Sequence, residues 1–259
     1  MDLELGDKKV VVTGASKGIG LATARAFAAE GAIVTLVARN SDALAKAQAD
    51  MVADKLPEPK TLVSDLSTDA GREQLFAAHA DADVLVNNAG AIKAGRLADL
   101  DLADWREGWE LKVFGYIHLC KLYAAEMVKR QDGTIINIIG MGGRAVRPNY
   151  ICGAAGNAAL IGFTNALGAE TPDNNVRVFG INPSPTLTDR METMFRTRAL
   201  SELGDAERWQ ELINPAAFPF GRPKRADEVA TLAVMLTSPR VHYLSGTVID
   251  LDGGGQWRA

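Results

Sequence analysis

VVVTGASKGIG, residues Val10–Gly20, is the stretch whose reading decides the fold. A short run of β-branched apolar residues ends at Thr13, and glycines follow at 14, 18 and 20. LATARAFAAEG comes next, with Leu21, Ala24, Phe27 and Ala28 on one helical stripe. The pattern is strand, tight turn, helix. Gly14 permits the turn, Gly18 removes a side chain where a pyrophosphate would approach, and Gly20 lets the helix pack close to the strand. The first amides of such a helix are unpaired and sit at the positive end of its dipole, which favours a diphosphate. The spacing G-x-x-x-G-x-G is one residue longer than the G-x-G-x-x-G fingerprint, and no G-K-[S/T] follows to make a P-loop. A plain strand-to-helix turn can carry the same glycines. The flanking strand and helix favour a dinucleotide site, with Ser16, Lys17 and Ile19 in the same loop.

The 259 residues are 47% hydrophobic and 23% charged, the balance of an ordinary globular protein, and strands alternate with helices throughout. One α/β domain over 1–259 is therefore expected. A net charge of −4 argues against a nucleic-acid or anionic-membrane surface. Cys120 and Cys152 make neither a disulfide framework nor a metal cluster, which points to a cytoplasmic protein. MDLELGDKK at the N-terminus has no apolar h-region, so no secretory signal is expected. Residues 148–169 carry no charge. A helix uncharged all round is expected to be buried on every side rather than to span a membrane.

Ile33–Ala38 (IVTLVA) is a second buried strand, followed by Arg39 and Asn40. An acidic side chain here would hold a ribose 2′-hydroxyl. Ala38 offers nothing, while Arg39 and Lys17 offer positive charge, so a 2′-phosphate and hence NADP over NAD is favoured. Two solvated surface cations would look the same. A helix is expected over 41–56, a strand over 61–66, a helix over 72–79 and a strand over 83–86. Asp65, with Leu66 beside it, is a candidate acceptor for the adenine amino group, or a turn residue. Asn87-Asn88-Ala89-Gly90 is a small, flat turn at the carboxyl end of a central strand, where a cofactor would lie.

Taken with Thr13–Gly20, Asp65 and Asn87–Gly90, the late Asn182-Pro183 and the closing Asp252-Gly253-Gly254 make the chain similar to the compact short-chain dehydrogenases/reductases over essentially its whole length. The resemblance implies a Rossmann-type, doubly wound, seven-stranded parallel sheet with helices on both faces. It implies dimers or tetramers formed through long helices at about 105–130 and 150–170, and a substrate lid at about 189–220. Pro183 belongs to the cofactor site by the same resemblance, and Thr188 matches the threonine that touches the nicotinamide carboxamide. Ser184 departs from the family's glycine.

The family's usual machinery is a serine, a tyrosine, a lysine four residues after it, and an asparagine on the preceding long helix. Aligning NIIGMGG places Gly140 at the serine position, Gly153 at the tyrosine and Asn157 at the lysine. Lys112 falls where the asparagine belongs. Lysine and asparagine have traded places, so Lys112 is expected to reach toward the nicotinamide ribose and to hydrogen-bond Asn157; a solvated helix lysine is the alternative. Tyr150, one turn before Gly153, is a candidate acid/base or substrate contact leaning into the space the glycines vacate. A tyrosine merely capping the helix start is the alternative.

His79 and His118 read as structural or solvated, His242 lacks an evident carboxylate partner, and Cys152 reads as a small buried residue. Arg144 and Arg147 in the loop, with Arg190, Arg196 and Arg198 in the lid, point to an anionic substrate unless they are simply solvated. No metal-ligand spacing is present. The reading is an NADP-preferring oxidoreductase interconverting carbonyl and alcohol in a small molecule, without nucleic-acid or membrane partners. A lyase or hydratase on the same fold, and an NADP(H)-binding regulatory protein without turnover, are its rivals.

Overall fold

The computed structural model of the chain describes residues 2–257, the side chain of Arg190 apart. Its centre is a sheet of seven strands: β1 (Lys9–Thr13), β2 (Ile33–Ala38), β3 (Lys60–Val63), β4 (Val84–Asn87), β5 (Gly133–Ile138), β6 (Val176–Pro183) and β7 (Thr247–Leu251). Every pairing in it is parallel, and the order is β3-β2-β1-β4-β5-β6-β7. Strands buried on both faces must be apolar at consecutive positions, which is why VVV and TIINI read as continuous runs. Val10 and Val12 join Phe27, Leu36, Phe179 and Val229 on one face. Val11 joins Leu85, Leu119, Tyr123 and Ile135 on the other. Successive residues of one strand thus feed two separate cores, one on each face.

The connecting helices are α1 (Gly18–Ala29), α2 (Ser41–Ala53), α3 (Asp69–His79), α4 (Leu102–Trp109), α5 (Gly115–Arg130), α6 (Ile151–Glu170), α7 (Asp189–Leu203) and α8 (Ala226–Thr237). The strand order reverses between β1 and β4, and the crevice beyond their carboxyl ends is where open parallel sheets bind ligands.

Three departures from the sequence reading bear on function. First, the single helix expected over 105–130 is broken: α4 and α5 are joined by a π turn, Glu110–Phe114, closed by Gly115 N–H donating to the Glu110 carbonyl. Arg72, from α3, also donates to that carbonyl (3.2 Å), so a tertiary contact holds the distortion in place.

Second, β3 stops at Val63 instead of running to Leu66. The Ser64 hydroxyl donates to the Gly71 carbonyl (2.8 Å), and Asp65 Oδ1 accepts from both the backbone N–H and the hydroxyl of Ser67 (3.1 and 2.8 Å). These local bonds turn the chain away from the ladder.

Third, α6 is not buried on every side. Cys152, Gly156, Leu160 and Thr164 face inward, whereas Ala155, Ala159, Gly162 and Ala166 are exposed. The helix is long and apolar enough to cross a membrane by length and composition, yet its inner face packs on β6 and β7. Small residues, rather than complete burial, account for its lack of charge.

Candidate functional site

The site begins with Thr13 at the exit of β1. Its buried hydroxyl donates to the Val86 carbonyl (3.2 Å) and accepts from the N–H groups of Asn88 and Ala89 (2.8 and 3.0 Å). Asn88 Nδ2 returns a bond to the Thr13 carbonyl (2.9 Å). The exits of β1 and β4 are thereby tied at the point where the sheet reverses. Gly14 and Gly18 both have positive φ (64° and 58°), as the turn into α1 requires. A Cβ on Gly20 would overlap the Gly14 carbonyl oxygen and Asn88 Nδ2. No side chain caps the first amides of α1, and its first turn holds no acid, so the helix presents open N–H donors to the crevice.

A cavity of about 350 Å³ lies there. Of the residues expected to bind a cofactor, Lys17, Gly18, Ile19, Asn88, Gly90, Pro183 and Thr188 line it, and Lys112 joins them. Gly14, Ser16, Gly20 and Ala89 build the turns behind that wall. Arg39, exposed at the end of β2, and Asp65 and Leu66, beyond β3, lie along the same carboxyl edge but outside the lining. Asp65 acts as a turn residue: bonds from Ser67, then the nearby Arg39 charge, hold its carboxyl below the usual range. The sequence reading gave no site role to Ile138, Ile139, Thr186 and Asp189, which complete the wall with Gly140 and Ser184. All lie at or beyond the carboxyl ends of β5 and β6, so strand ends were the available signal.

Lys112 sits on the π turn, and its side chain runs across Gly90 into the cavity wall. Nζ donates to the Ile138 carbonyl (2.8 Å) and to the Tyr116 hydroxyl (3.3 Å). The Tyr116 hydroxyl in turn donates to the Ile138 carbonyl (3.0 Å). Burial pushes the amine down to about 7, and burial pushes the Tyr116 phenol well above its usual value, with Cys120 and Tyr150 adding to it. Tyr116 escaped the sequence reading, although its i,i+4 spacing from Lys112 was legible.

The expected Lys112–Asn157 bond is not formed. Asn157 Nδ2 donates instead to the Gly140 carbonyl (3.4 Å), and its Oδ1 is buried without a hydrogen-bond partner among the described residues. Ile138 and Tyr116 take the amine on the β5 side, and the amide stays on the Gly140 side.

Tyr150 immediately precedes α6 and lies over glycines. A Cβ on Gly153 would overlap its ring, and one on Gly142 would come within 3.1 Å of it. The ring occupies the expected space at Gly153 but lies over Gly142 rather than Gly140, where a Cβ would meet Asn157 Nδ2. Gly153→Ala is accordingly expected to expel the ring and to cost about 1–3 kcal/mol, the usual range for overpacking. Thermal unfolding together with tyrosine fluorescence checks this, and an unchanged melting curve contradicts it.

Three of the five arginines are paired within the protein. Arg144 pairs with Asp250 (3.0 Å), Arg196 with Glu192 (2.7 Å) and Glu207, and Arg198 with Glu202 (2.7 Å). Their charge is already matched by carboxylates. Arg147 is exposed, and the Arg190 side chain lies outside the described residues. His118 Nδ1 accepts from Arg72 Nε (3.1 Å), His242 is exposed, and Cys152 is buried with its thiol pushed up by burial.

Residues 8–199 match the family described as short chain dehydrogenase. Over 262 residues the chain is 31% identical to the 7alpha-hydroxysteroid dehydrogenase of Escherichia coli (strain K12), a match covering 98% of this chain and 96% of that one. It is 34% identical over 249 residues to the galactitol 2-dehydrogenase (L-tagatose-forming) of Cereibacter sphaeroides, covering 94% and 92%. The crystal structure of L-sorbose reductase from Gluconobacter frateurii complexed with NADPH and L-sorbose aligns with a TM-score of 0.91 at 30% identity, covering 100% of both chains. The crevice at the sheet's reversal and these full-length matches agree: the chain belongs to the short-chain dehydrogenase family of NAD(P)-dependent oxidoreductases acting on CH–OH and C=O groups.

Proposed function

We propose that this protein is an NADP(H)-preferring carbonyl reductase or alcohol dehydrogenase whose active site departs from the family's usual serine, tyrosine, lysine and asparagine. The observation that carries the reading is the cavity at the β1–β4 reversal, floored by the open N-terminus of α1 and walled by Lys112. A pyrophosphate fits the bare backbone of Gly14, Ser16, Gly18, Ile19 and Gly20, where Gly20 admits no side chain. Lys17 and Arg39, both exposed and without an acid at the end of β2, would take the 2′-phosphate. Asp65 and Leu66 would flank the adenine, and Asn88, Ala89, Gly90, Pro183 and Thr188 the nicotinamide end. The bound, reduced cofactor supplies a hydride to a carbonyl carbon. The chain's own part is to hold both partners in register and to move a proton at the oxygen.

Gly140, Gly153 and Asn157 occupy the usual serine, tyrosine and lysine positions, and Lys112 the asparagine position. Tyr150, resting on Gly153, is a substrate contact in this reading, and Asn157 braces the Gly140 turn. The substrate is a small molecule; among the described residues of the lining, Lys17 and Lys112 bring positive charge to the cavity. One domain spans 1–259, with 189–220 as its lid: α7 and the turns after it pack on Phe195, Ala199 and Trp209, and Asp189 reaches the cavity wall. The exposed small-residue face of α6 and the exposed Phe114 support assembly into dimers or tetramers through α4–α5 and α6. A cytoplasmic setting agrees with two free, buried cysteines.

The test is nicotinamide absorbance during incubation with NADPH and a panel of ketoses, oxosteroids and 3-oxoacyl thioesters. Oxidation of NADPH with at least one class is expected. NADPH binding with no turnover across the panel would favour the regulatory protein, and product without absorbance change the lyase or hydratase. Lys17→Ala and Arg39→Ala are each expected to weaken NADPH about tenfold, or about 1.4 kcal/mol, and to leave NADH unchanged. Equal losses for both cofactors would contradict a phosphate site.

A further inference from the structure

Lys112 is a cation placed where burying one is costly. It stands in a cavity wall, and burial alone accounts for the fall of its amine to about 7. Each element packed against it brings few charges. From its own helical run comes Tyr116, with Cys120 one turn further; from the start of α6 comes Tyr150, which adds to the rise of the Tyr116 phenol. The turn after β4 and the end of β5 bring backbone only, Gly90 and Ile138. Lys17 and Asp189 lie elsewhere in the same wall.

The hydrogen bonds fix the amine's orientation. Tyr116 spends its single hydroxyl proton on the Ile138 carbonyl, so it can only accept from Nζ. Ile138 accepts from both. An ammonium has three N–H donors, and these contacts use two of them. The third is left for the cavity. On the Gly140 side, the buried Asn157 Oδ1 lacks a donor partner among the described residues.

Building on the oxidoreductase reading, we propose that Lys112 is the acid/base of the reaction, oriented by the Tyr116 hydroxyl and the Ile138 carbonyl, and that Tyr116 is its positioning residue. In reduction, the carbonyl π bond breaks as a hydride bonds to carbon, while a Lys112 N–H bond breaks and its proton forms the O–H bond. The product is an alcohol, the nicotinamide is left oxidised, and Lys112 is left as a neutral amine that regains a proton from water. Oxidation runs the same transfers backwards. An amine held near neutrality can both give and accept the proton at working pH.

Two measurements test this. Lysine side chains carrying carbon-13 are followed by NMR through a pH titration of the cofactor-free protein. One resonance, absent from Lys112→Met, is expected to titrate near about 7. The remaining lysines should titrate near ~10.4. Tyr116→Phe is expected to lower the Lys112 value further, because the ammonium loses an acceptor; a purely structural tyrosine would leave it in place.

In the loaded enzyme, Lys112→Met and Lys112→Arg are each expected to lose about 10²–10⁴-fold in kcat with NADPH affinity unchanged. The fall in reduction rate as pH rises through about 7 should vanish in both variants. A Lys112 resonance that titrates with the other lysines overturns the proposal even where NADPH binds and turns over. So does a Lys112→Met enzyme that keeps its kcat and pH limb while Tyr150→Phe loses both. A protein that binds no NADPH overturns the oxidoreductase reading, and the proposal with it.

Discussion

Arg72→Leu is expected to cost the fold about 1–3 kcal/mol, the cost of a buried acceptor left without its donor. The Arg72 side chain is 2% exposed. It donates to the carbonyls of Leu66 (3.0 Å) and Glu110 (3.2 Å), to the Glu110 carboxylate (2.9 Å) and to His118 (3.1 Å). Leucine fills part of the volume and satisfies none of these groups. The carboxylates of Asp69 and Glu110 are 76% and 45% exposed, so water can receive them, and the Glu110 carbonyl keeps the Gly115 N–H; most of the cost falls on the Leu66 carbonyl. The loss also lands on function. Leu66 flanks the expected adenine site, and Glu110 begins the π turn that carries Lys112. Urea unfolding read beside NADPH affinity should show both falling together. A stability change of less than about 1 kcal/mol would place Arg72 among ordinary surface ion pairs.

Gly20→Val carries the second large effect. Its Cβ would overlap the Gly14 carbonyl oxygen and Asn88 Nδ2, and both belong to the turns that tie β1 to β4. The first is backbone, and the second is a side-chain amide pinned by its bonds to the Thr13 and Gly14 carbonyls. Relief requires α1 to withdraw from β1, which opens the core around Ala24 and Phe27. Overpacking costs about 1–3 kcal/mol where side chains can shift, and more where backbone must move. Loss of NADPH binding is expected even in the fraction that folds, because the N-terminus of α1 is displaced. A Gly20→Val protein that melts and binds like the parent would contradict the close approach of α1 to β1.

The central strand, the glycine turn and the first helix were legible because each is encoded locally: VVV for a strand buried on both faces, glycines where φ turns positive, an apolar stripe for α1. Tyr150 beside Gly153 was legible as one of two readings, a ring in the space the glycine leaves or a cap on the helix start, and spacing alone could not choose between them. The π turn was not legible. WREGWELKVFGYIHLC reads as unbroken helix, and the Arg72 bond to the Glu110 carbonyl joins positions 38 residues apart.

Lys112 is expected from sequence at the nicotinamide ribose and bonded to Asn157; it lines the cavity, but its bonds go to Ile138 and Tyr116. The Ile138 carbonyl that holds it is a backbone group, and no side-chain pattern announces it. Arg196 and Arg198 could have been discounted from spacing alone, because Glu192–Arg196 and Arg198–Glu202 are i,i+4 pairs. Arg144 could not: Asp250 is 106 residues away, and only the pairing of β6 with β7 brings it near.

The central claim is that the crevice beyond β1 and β4 is an NADP(H) site with a positively charged 2′-phosphate pocket. Calorimetric titration of the purified protein with NADPH and, separately, NADH tests it most directly. NADPH is expected to bind at micromolar affinity and NADH at least about tenfold more weakly, a gap of about 1.4 kcal/mol or more. Equal affinities would remove the roles given to Lys17 and Arg39, and no binding of either would contradict the account as a whole.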